Sequence, residues 1–394
     1  MTLNITEQNT DQNTDQNRND LHLDGARFKR GVRLYRVTAP HLTRQSPDMP
    51  RYLVGTRRSR CELPAPAGSA IFSLISRGAS IDEIASATGS SAAEVSELLQ
   101  SLDGAQLLES KESAISLSQR FISAIAKKAQ KGSDHSKDGA YSQLALRITP
   151  ELSQSRWLPG VEDSGAAIIS ARQKAHIEIS GDSRAATALF GILLASGVTN
   201  TLIAPSHIRK SPAIEERDIS AGFLRGSDIG TAFYTRMTAL SKELSLFPME
   251  RLESAQEIEP ENHEQVVKIH FGDIDPEILA RWMSAGEDHL IISELDGAML
   301  NIGPMVIPGK TPCSRCLSLT LDDPTPDTAL ILDRDVMPVV ATHYVAGLVA
   351  SLALQLIDTG KSDLIGSVLI VDLLSLCNTE HINIPLHPMC GCSW

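Results

Sequence analysis

Two short cysteine pairs constrain this chain more than anything else in it. Pro312-Cys313-Ser314-Arg315-Cys316 supplies the first, and His387-Pro388-Met389-Cys390-Gly391-Cys392 the second. Two pairs of thiolates, each carried by one tight turn, are what a tetrahedral Zn²⁺ site requires, so Cys313, Cys316, Cys390 and Cys392 are the candidate ligands. The spacing is C-x₂-C followed by C-x-C. Four sulfur ligands leave no position for water or substrate, which makes the expected site structural rather than catalytic. The alternative is four free or disulfide-bonded cysteines, and a reducing cytosol disfavours the bonded form. Any fold for this chain must bring these two distant turns together.

The rest of the composition narrows the partners. With 394 residues, two or three domains can each bury a core, and the 42% hydrophobic content fits a soluble globular protein. A net charge of −12 argues against nucleic acid as the main partner, because phosphate neutralisation needs a basic surface. The longest apolar run, around Val345 to Ile357, is interrupted by Ser351 and Gln355, and no membrane span is expected. Met1 to Ile5 lacks a basic segment leading into an apolar one, so no signal peptide is expected and the cytoplasm is the expected location.

Residues 1–27 are polar and repetitive and are expected to form a disordered tail. Short strands follow around Val32 to Tyr35, Tyr52 to Val54 and Cys61 to Leu63, then three helices. Ser80-Ile81-Asp82-Glu83 and Ser91-Ala92-Ala93-Glu94 are capping boxes that start the second and third helices. Ile81, Ile84 and Ala85, then Val95, Leu98, Leu99 and Leu102, repeat at helical spacing, and Leu107-Leu108 is a candidate closing strand. A helix-turn-helix suggests a DNA-binding regulator. However, Ser80 to Ser110 contains no Lys or Arg and carries Asp82, Glu83, Glu94, Glu97, Asp103 and Glu109. A recognition helix with that charge would be repelled by phosphates.

With Arg30-Gly31-Val32-Arg33-Leu34 ahead of them, these strands and helices (residues 28–112) resemble the PqqD-like winged-helix module that recognises leader peptides of ribosomally made, modified peptides. The resemblance implies that a peptide adds as a strand beside the third strand and over the third helix. Here that groove would use Arg60, Cys61, Glu62 and Leu63 with Val95, Leu98, Leu99 and Leu102. Residues 113–170 read as a linker or helical connection, with an exposed charge run from Lys127 to Lys137.

From His176 the pattern becomes α/β. A strand at His176 to Ser180, a turn, a helix from Ala185 to Ser196, the stop Gly197 and a strand at Thr201 to Ala204 form a βαβ unit. A strand at Val266 to Phe271, a helix from Pro276 and a strand at Leu290 to Ser293 continue it, and Asp296-Gly297 turns the chain into Met299 to Val306. Together with Gly303 to Cys316 and His387 to Cys392, residues 171–394 resemble the ubiquitin-activating-enzyme-like (E1-like) family of ThiF and MoeB relatives. The resemblance is to the branch of cyclodehydratase C-type, leader-binding proteins of azole-peptide (TOMM) biosynthesis. The implied fold is a degenerate Rossmann-like E1 domain with a C-terminal zinc clamp, preceded by the winged-helix module.

Departures from that family bear on its ATP site. A G-x-G-x-x-G turn lets backbone N–H groups approach phosphates. Here the turn reads Gly181-Asp182-Ser183-Arg184-Ala185-Ala186, with one glycine kept and Asp182 adding charge of the wrong sign. Ala204 stands where the ribose acid is expected, and Phe233 is nearest the expected lysine. Arg225 and Asp273 match the family's arginine and magnesium-associated aspartate, although Asp273 and Asp275 also suit helix capping. No cysteine lies between Cys61 and Cys313, and Cys377 reads as a filler on an apolar strand with Leu373, Leu374 and Leu376. His387 is a candidate hydrogen-bond donor to a zinc-bound sulfur.

Structural Zn²⁺ is therefore the expected cofactor, and ATP is not expected. The resemblance implies a non-catalytic scaffold that binds a precursor leader peptide, partners a YcaO-type cyclodehydratase and forms a homodimer. The alternatives are an ATP-dependent adenylyltransferase and, behind it, the DNA-binding regulator.

Overall fold

The computed structural model describes residues 4–7, 23–37, 51–111, 114–117, 121–122, 137–181, 183–204, 213–219, 222–247, 266–321, 336–375 and 378–392. The chain divides into two compact units, one of residues 1–122 and 132–170, the other of residues 123–131 and 171–394.

In the first unit β1 (Asn4–Glu7) pairs in parallel with β7 (Ala114–Leu117), so the start of the expected tail contributes a strand. The polar repeat that follows lies outside the described residues. β2 (Arg27–Phe28) pairs with β6 (Leu108–Glu109), the expected closing strand. β3 (Arg33–Val37), β4 (Arg51–Gly55) and β5 (Arg60–Leu63) form an antiparallel sheet in that order, which leaves β5 at an edge. Helices α1 (Gly68–Arg77), α2 (Ile81–Thr88) and α3 (Ala92–Gly104) cover it. Both capping boxes form: Ser80 and Ser91 accept from the backbone of Glu83 and Glu94, whose carboxylates reach back to the cap N–H groups. Ile71, Ile75, Ile84, Val95, Leu99 and Leu102 point inward with Val54 and Leu63 as the core. Part of the expected connection, Lys137–Ile148, Leu152–Ser155 and Ala166–Ala171, is helical. Residues 132–170 of it belong to this unit, and the backbone at Ser110 and Lys111 donates to Glu162.

The second unit is built on a seven-stranded mixed sheet in the order β14-β13-β12-β11-β10-β8-β9. β8 (His176–Ser180), β9 (Asn200–Ile203), β10 (Val266–Phe271) and β11 (Asp288–Ile292) run parallel. Alternate residues on these strands, Ile177 and Ile179, Val267 and Ile269, Leu290 and Ile292, are fully buried and give one face of the sheet its core. The Asp296-Gly297 turn then reverses the chain into β12 (Met299–Val306), which is antiparallel to β11 and to β13 (Ser367–Asp372). β14 (Glu380–Asn383) closes that side.

Two expectations change here. The strand expected through Leu373, Leu374 and Leu376 stops at Asp372, whose carboxylate accepts from the backbone of Leu374 and Ser375 and turns the chain. Cys377 lies outside the described residues. The apolar run near Val345 is part of a 21-residue helix, Val339–Thr359, long and apolar enough to cross a membrane by length and composition. In this structure Ala341, Val345, Ala346, Val349, Ala353 and Leu356 on that helix are buried in the unit's core with the Arg184–Ala195 helix. Its last turn is fixed by a buried ion pair, Asp358 with Arg172, at 2.8 Å from Nε to Oδ1.

Candidate functional site

The four clamp cysteines converge. Cys313 precedes the Ser314–Leu321 helix and Cys316 lies in its first turn. Cys390 and Cys392 come from a turn closed by the Cys390 N–H on the His387 carbonyl, with Gly391 at φ +72° reversing the chain between them. All four Sγ atoms lie within 4.8 Å of one another, Cys313 to Cys390 at 3.3 Å and Cys316 to Cys392 at 3.4 Å. Zinc–sulfur bonds of about 2.3 Å in a tetrahedron place sulfurs roughly 3.8 Å apart, so the set fits such an ion. Val306, Val368 and Ile384 enclose the cluster.

Burial opposes ionisation at Cys316, Cys390 and Cys392. At Cys316 backbone hydrogen bonds from His387 and Cys313 outweigh it and hold the thiol down to about 7. Burial and the neighbouring sulfurs push Cys392 up to about 11 and Cys390 further still. One thiolate is favoured and its neighbours resist a second negative charge, an imbalance that a divalent cation relieves. His387 meets a sulfur as expected, but through its backbone N–H, which donates to Cys316 Sγ at 3.4 Å. Its ring Nδ1 accepts instead from the Met389 N–H.

The turn after β8 is built differently. Asp182 lies outside the described residues. Gly181 is at φ +99°, and a Cβ there would lie 2.0 Å from the Phe271 carbonyl oxygen, so close packing of β8 on β10 alone requires a glycine. Ser183 caps the Arg184–Ala195 helix by accepting from the Ala185 N–H at 3.2 Å, which engages a donor that a phosphate would otherwise use. Arg184 donates through its two terminal nitrogens to backbone carbonyls, Met337 at 2.9 Å and Ile219 at 2.7 Å, while its buried Nε has no partner among the described residues. The space bounded by Gly181, Ser183, Ala186, Thr187, Ala204 and Phe233 amounts to about 10 Å³. That is the room of a single water, against some hundreds of Å³ for a ligand pocket.

Neither Arg225 nor Asp273 lines that space. Arg225 is exposed, while its backbone N–H donates to Asp228 Oδ2 at 2.8 Å. Phe223 packs so tightly on the Arg184–Ala195 helix that a Cβ at Gly191 would overlap its ring at 1.9 Å. Asp275 caps the Pro276–Ala285 helix by accepting from Glu277 N–H. The Asp273 carbonyl is held by His270 Nε2 at 3.0 Å, and His270 Nδ1 meets Ser180 Oγ at 2.8 Å. Burial lowers the His270 pKa and keeps the ring neutral.

At the proposed peptide groove Cys61 Sγ lies 3.9 Å from the Ser101 carbonyl oxygen, joining β5 to α3. Cys61 and Leu98 are half-buried, whereas Leu63, Val95, Leu99 and Leu102 are core residues behind them. Arg60 and Glu62 point to the opposite face of the sheet. The Arg60 guanidinium stacks 5.0 Å from the Tyr35 ring centroid, and Glu62 pairs with Arg51, whose hydrogen bond lowers the carboxylate's pKa. The groove surface is therefore Cys61, Leu98 and the open backbone of β5.

No family model and no curated protein matches this sequence. Among solved structures, the chain resembles E. coli MccB bound to AMPCPP and selenomethionine MccA, with a TM-score of 0.59 at 11% identity over 93% of this chain and 98% of that one. It is similar to the microcin C7 biosynthetic enzyme MccB in complex with N-formylated MccA, with a TM-score of 0.59 at 11% identity over 94% and 99%. E. coli MccB with ATP gives a TM-score of 0.57 at 12% identity over 94% and 99%. The chain thus has the E1-like fold of MccB along nearly its whole length.

Proposed function

We propose that this protein is a leader-peptide-binding scaffold in the biosynthesis of ribosomal peptides carrying azoline rings, presenting a precursor to a YcaO-type cyclodehydratase. One contrast carries the reading: an MccB-like fold extends over 93% of the chain, while the space at the turn after β8 is only about 10 Å³. MccB is a microcin C7 biosynthetic enzyme solved with MccA, which supports a peptide partner for this chain. Residues 28–112 are the recognition module, and the leader adds as a strand to the open edge of β5 with side chains against Cys61 and Leu98. Residues 171–394 are the E1-like body that the zinc clamp holds together. Tethering a precursor raises its effective concentration at the partner enzyme without any bond-making here. A homodimer in the cytoplasm is the working assembly.

Calorimetric titration with the leader of a precursor encoded beside its gene tests this reading. Saturable binding is expected, and its absence with every such leader sinks the proposal. A second reading, a carboxylate-activating adenylyltransferase, draws on the likeness to MccB with ATP and on the exposed Arg225. ATP–pyrophosphate exchange abolished by Arg225→Ala would favour it.

A further inference from the structure

The first unit holds a cavity of about 430 Å³ apart from the groove just described, walled by Gly31, Thr56, Arg57, Arg58, Gln154 and Trp157. Its two cations sit on the turn between β4 and β5. That turn is tight and fixed: the Thr56 N–H donates to the Ser59 carbonyl at 2.8 Å, and the Arg58 N–H to Thr56 Oγ1 at 3.2 Å. Gly, Asn, Asp or Ser would make such a turn more readily than two arginines, so Arg57-Arg58 serves something other than the turn. On the same sheet Arg51 is held by Glu62 and Arg60 by Tyr35 and the Thr56 carbonyl, whereas Arg33, opposite Gly55, likewise has no side-chain partner among the described residues. Among the described residues no partner holds the guanidinium of Arg57 or Arg58, and no carboxylate lines the cavity.

Trp157 gives the cavity an aromatic wall. Its backbone N–H is held by the Gln154 carbonyl at 3.0 Å, and the ammonium of buried Lys29 lies 5.9 Å from the indole centroid. Gly31 passes the ring so closely that a Cβ there would already touch it at 3.7 Å. Glu109 helps to balance the charge of Lys29 inside the unit. The Thr56–Ser59 turn leads directly into β5, so a strand added along β5 ends within a residue or two of these arginines.

We propose that this cavity anchors an acidic side chain of the peptide bound at the β5 edge, the arginines taking its carboxylate and Trp157 an adjoining apolar residue. Planar guanidinium forks suit a carboxylate, and an acidic peptide complements a pocket with two free cations and no acid. The inference rests on the peptide-binding reading and adds what it lacks, the charge of the residue that is read.

The test is calorimetry on the full zinc-loaded chain. The probe is a synthetic leader peptide from the neighbouring precursor, C-terminally amidated so that only side-chain carboxylates remain. Counterparts replace its acids with Asn and Gln, or with Lys. Neutralising the acids should weaken binding to the wild type by about tenfold or more, the scale of a lost charge-assisted pair. Arg57→Ala with Arg58→Ala should bind the acidic and neutral peptides equally weakly. Arg57→Glu with Arg58→Glu should regain affinity for the Lys peptide, a rescue that an unfolded variant could not give. If the double Ala variant binds the acidic peptide as tightly as the wild type while Leu98→Asp weakens binding, the cavity proposal is wrong and the β5 reading stands. If no form of the peptide binds the wild type, both fall.

Discussion

The cysteine clamp and the turn after β8 belong to the same unit and carry opposite chemistry. In the clamp, four side chains from two distant turns aim their reactive atoms at one point, within 4.8 Å of one another. At the turn most of the described groups suited to an anion are engaged elsewhere: Ser183 on its own helix, both terminal nitrogens of Arg184 on carbonyls, Gly181 against Phe271, with the buried Arg184 Nε alone among these left without a partner. Convergence without internal satisfaction marks a site, and satisfaction without convergence marks a fold element. The difference teaches that a surviving motif residue is not evidence of a surviving function. Gly181 would be required here even if no phosphate ever came near it.

The largest effect that could break this contrast concerns the metal. Metal analysis should find about one zinc per chain, and Cys316→Ser should lose it. Even a few kcal/mol of lost metal-linked stability lowers the melting temperature of a unit of this size by roughly 10 °C. A chain that melts identically with and without chelator would deprive the clamp of its role. Next, Gly181→Ala should cost about 3 kcal/mol in denaturant unfolding, because a Cβ meets the Phe271 carbonyl at 2.0 Å. Retained stability with altered nucleotide affinity would reverse the reading of that glycine. At the β5 groove Leu98→Asp should weaken leader binding by about tenfold, ~1.4 kcal/mol, with the zinc content unchanged.

The smallest effect lies in pH. Burial depresses the pKa of His270 at the turn and of His289, so the unfolded chain binds more protons just below pH 6.5. Their contribution to stability is complete above that pH and is lost as pH falls, at up to about 1.4 kcal/mol per pH unit for each ring. The slope of melting temperature between pH 7.5 and 5.5 should flatten in His270→Asn. An unchanged slope would mean that His270 titrates alike in the folded and unfolded chain and that burial does not depress its pKa.

Local chemistry made much of this legible. The cysteine spacing, the two Ser–Glu capping boxes and the Asp296-Gly297 reversal are written within a few residues, and each forms where the sequence places it. Contacts between distant residues were not legible. Arg172 finds Asp358 across the unit, β1 finds β7, and Trp157 joins a turn a hundred residues earlier, none with a pattern that a linear reading detects. Helical spacing grouped Val95, Leu99 and Leu102 with Leu98, yet it cannot say which of them face a partner and which the core. The Arg57-Arg58 pair did carry a signal, two cations at positions where turn-forming residues are favoured.

The central claim is that the fold binds peptide and no longer depends on nucleotide. Its most direct test is calorimetric titration of the leader peptide into the zinc-loaded chain, with and without Mg-ATP. A filled turn and an open β5 edge predict saturable binding with the same affinity in both. Binding seen only when Mg-ATP is present would contradict the claim and return the chain to the adenylyltransferases.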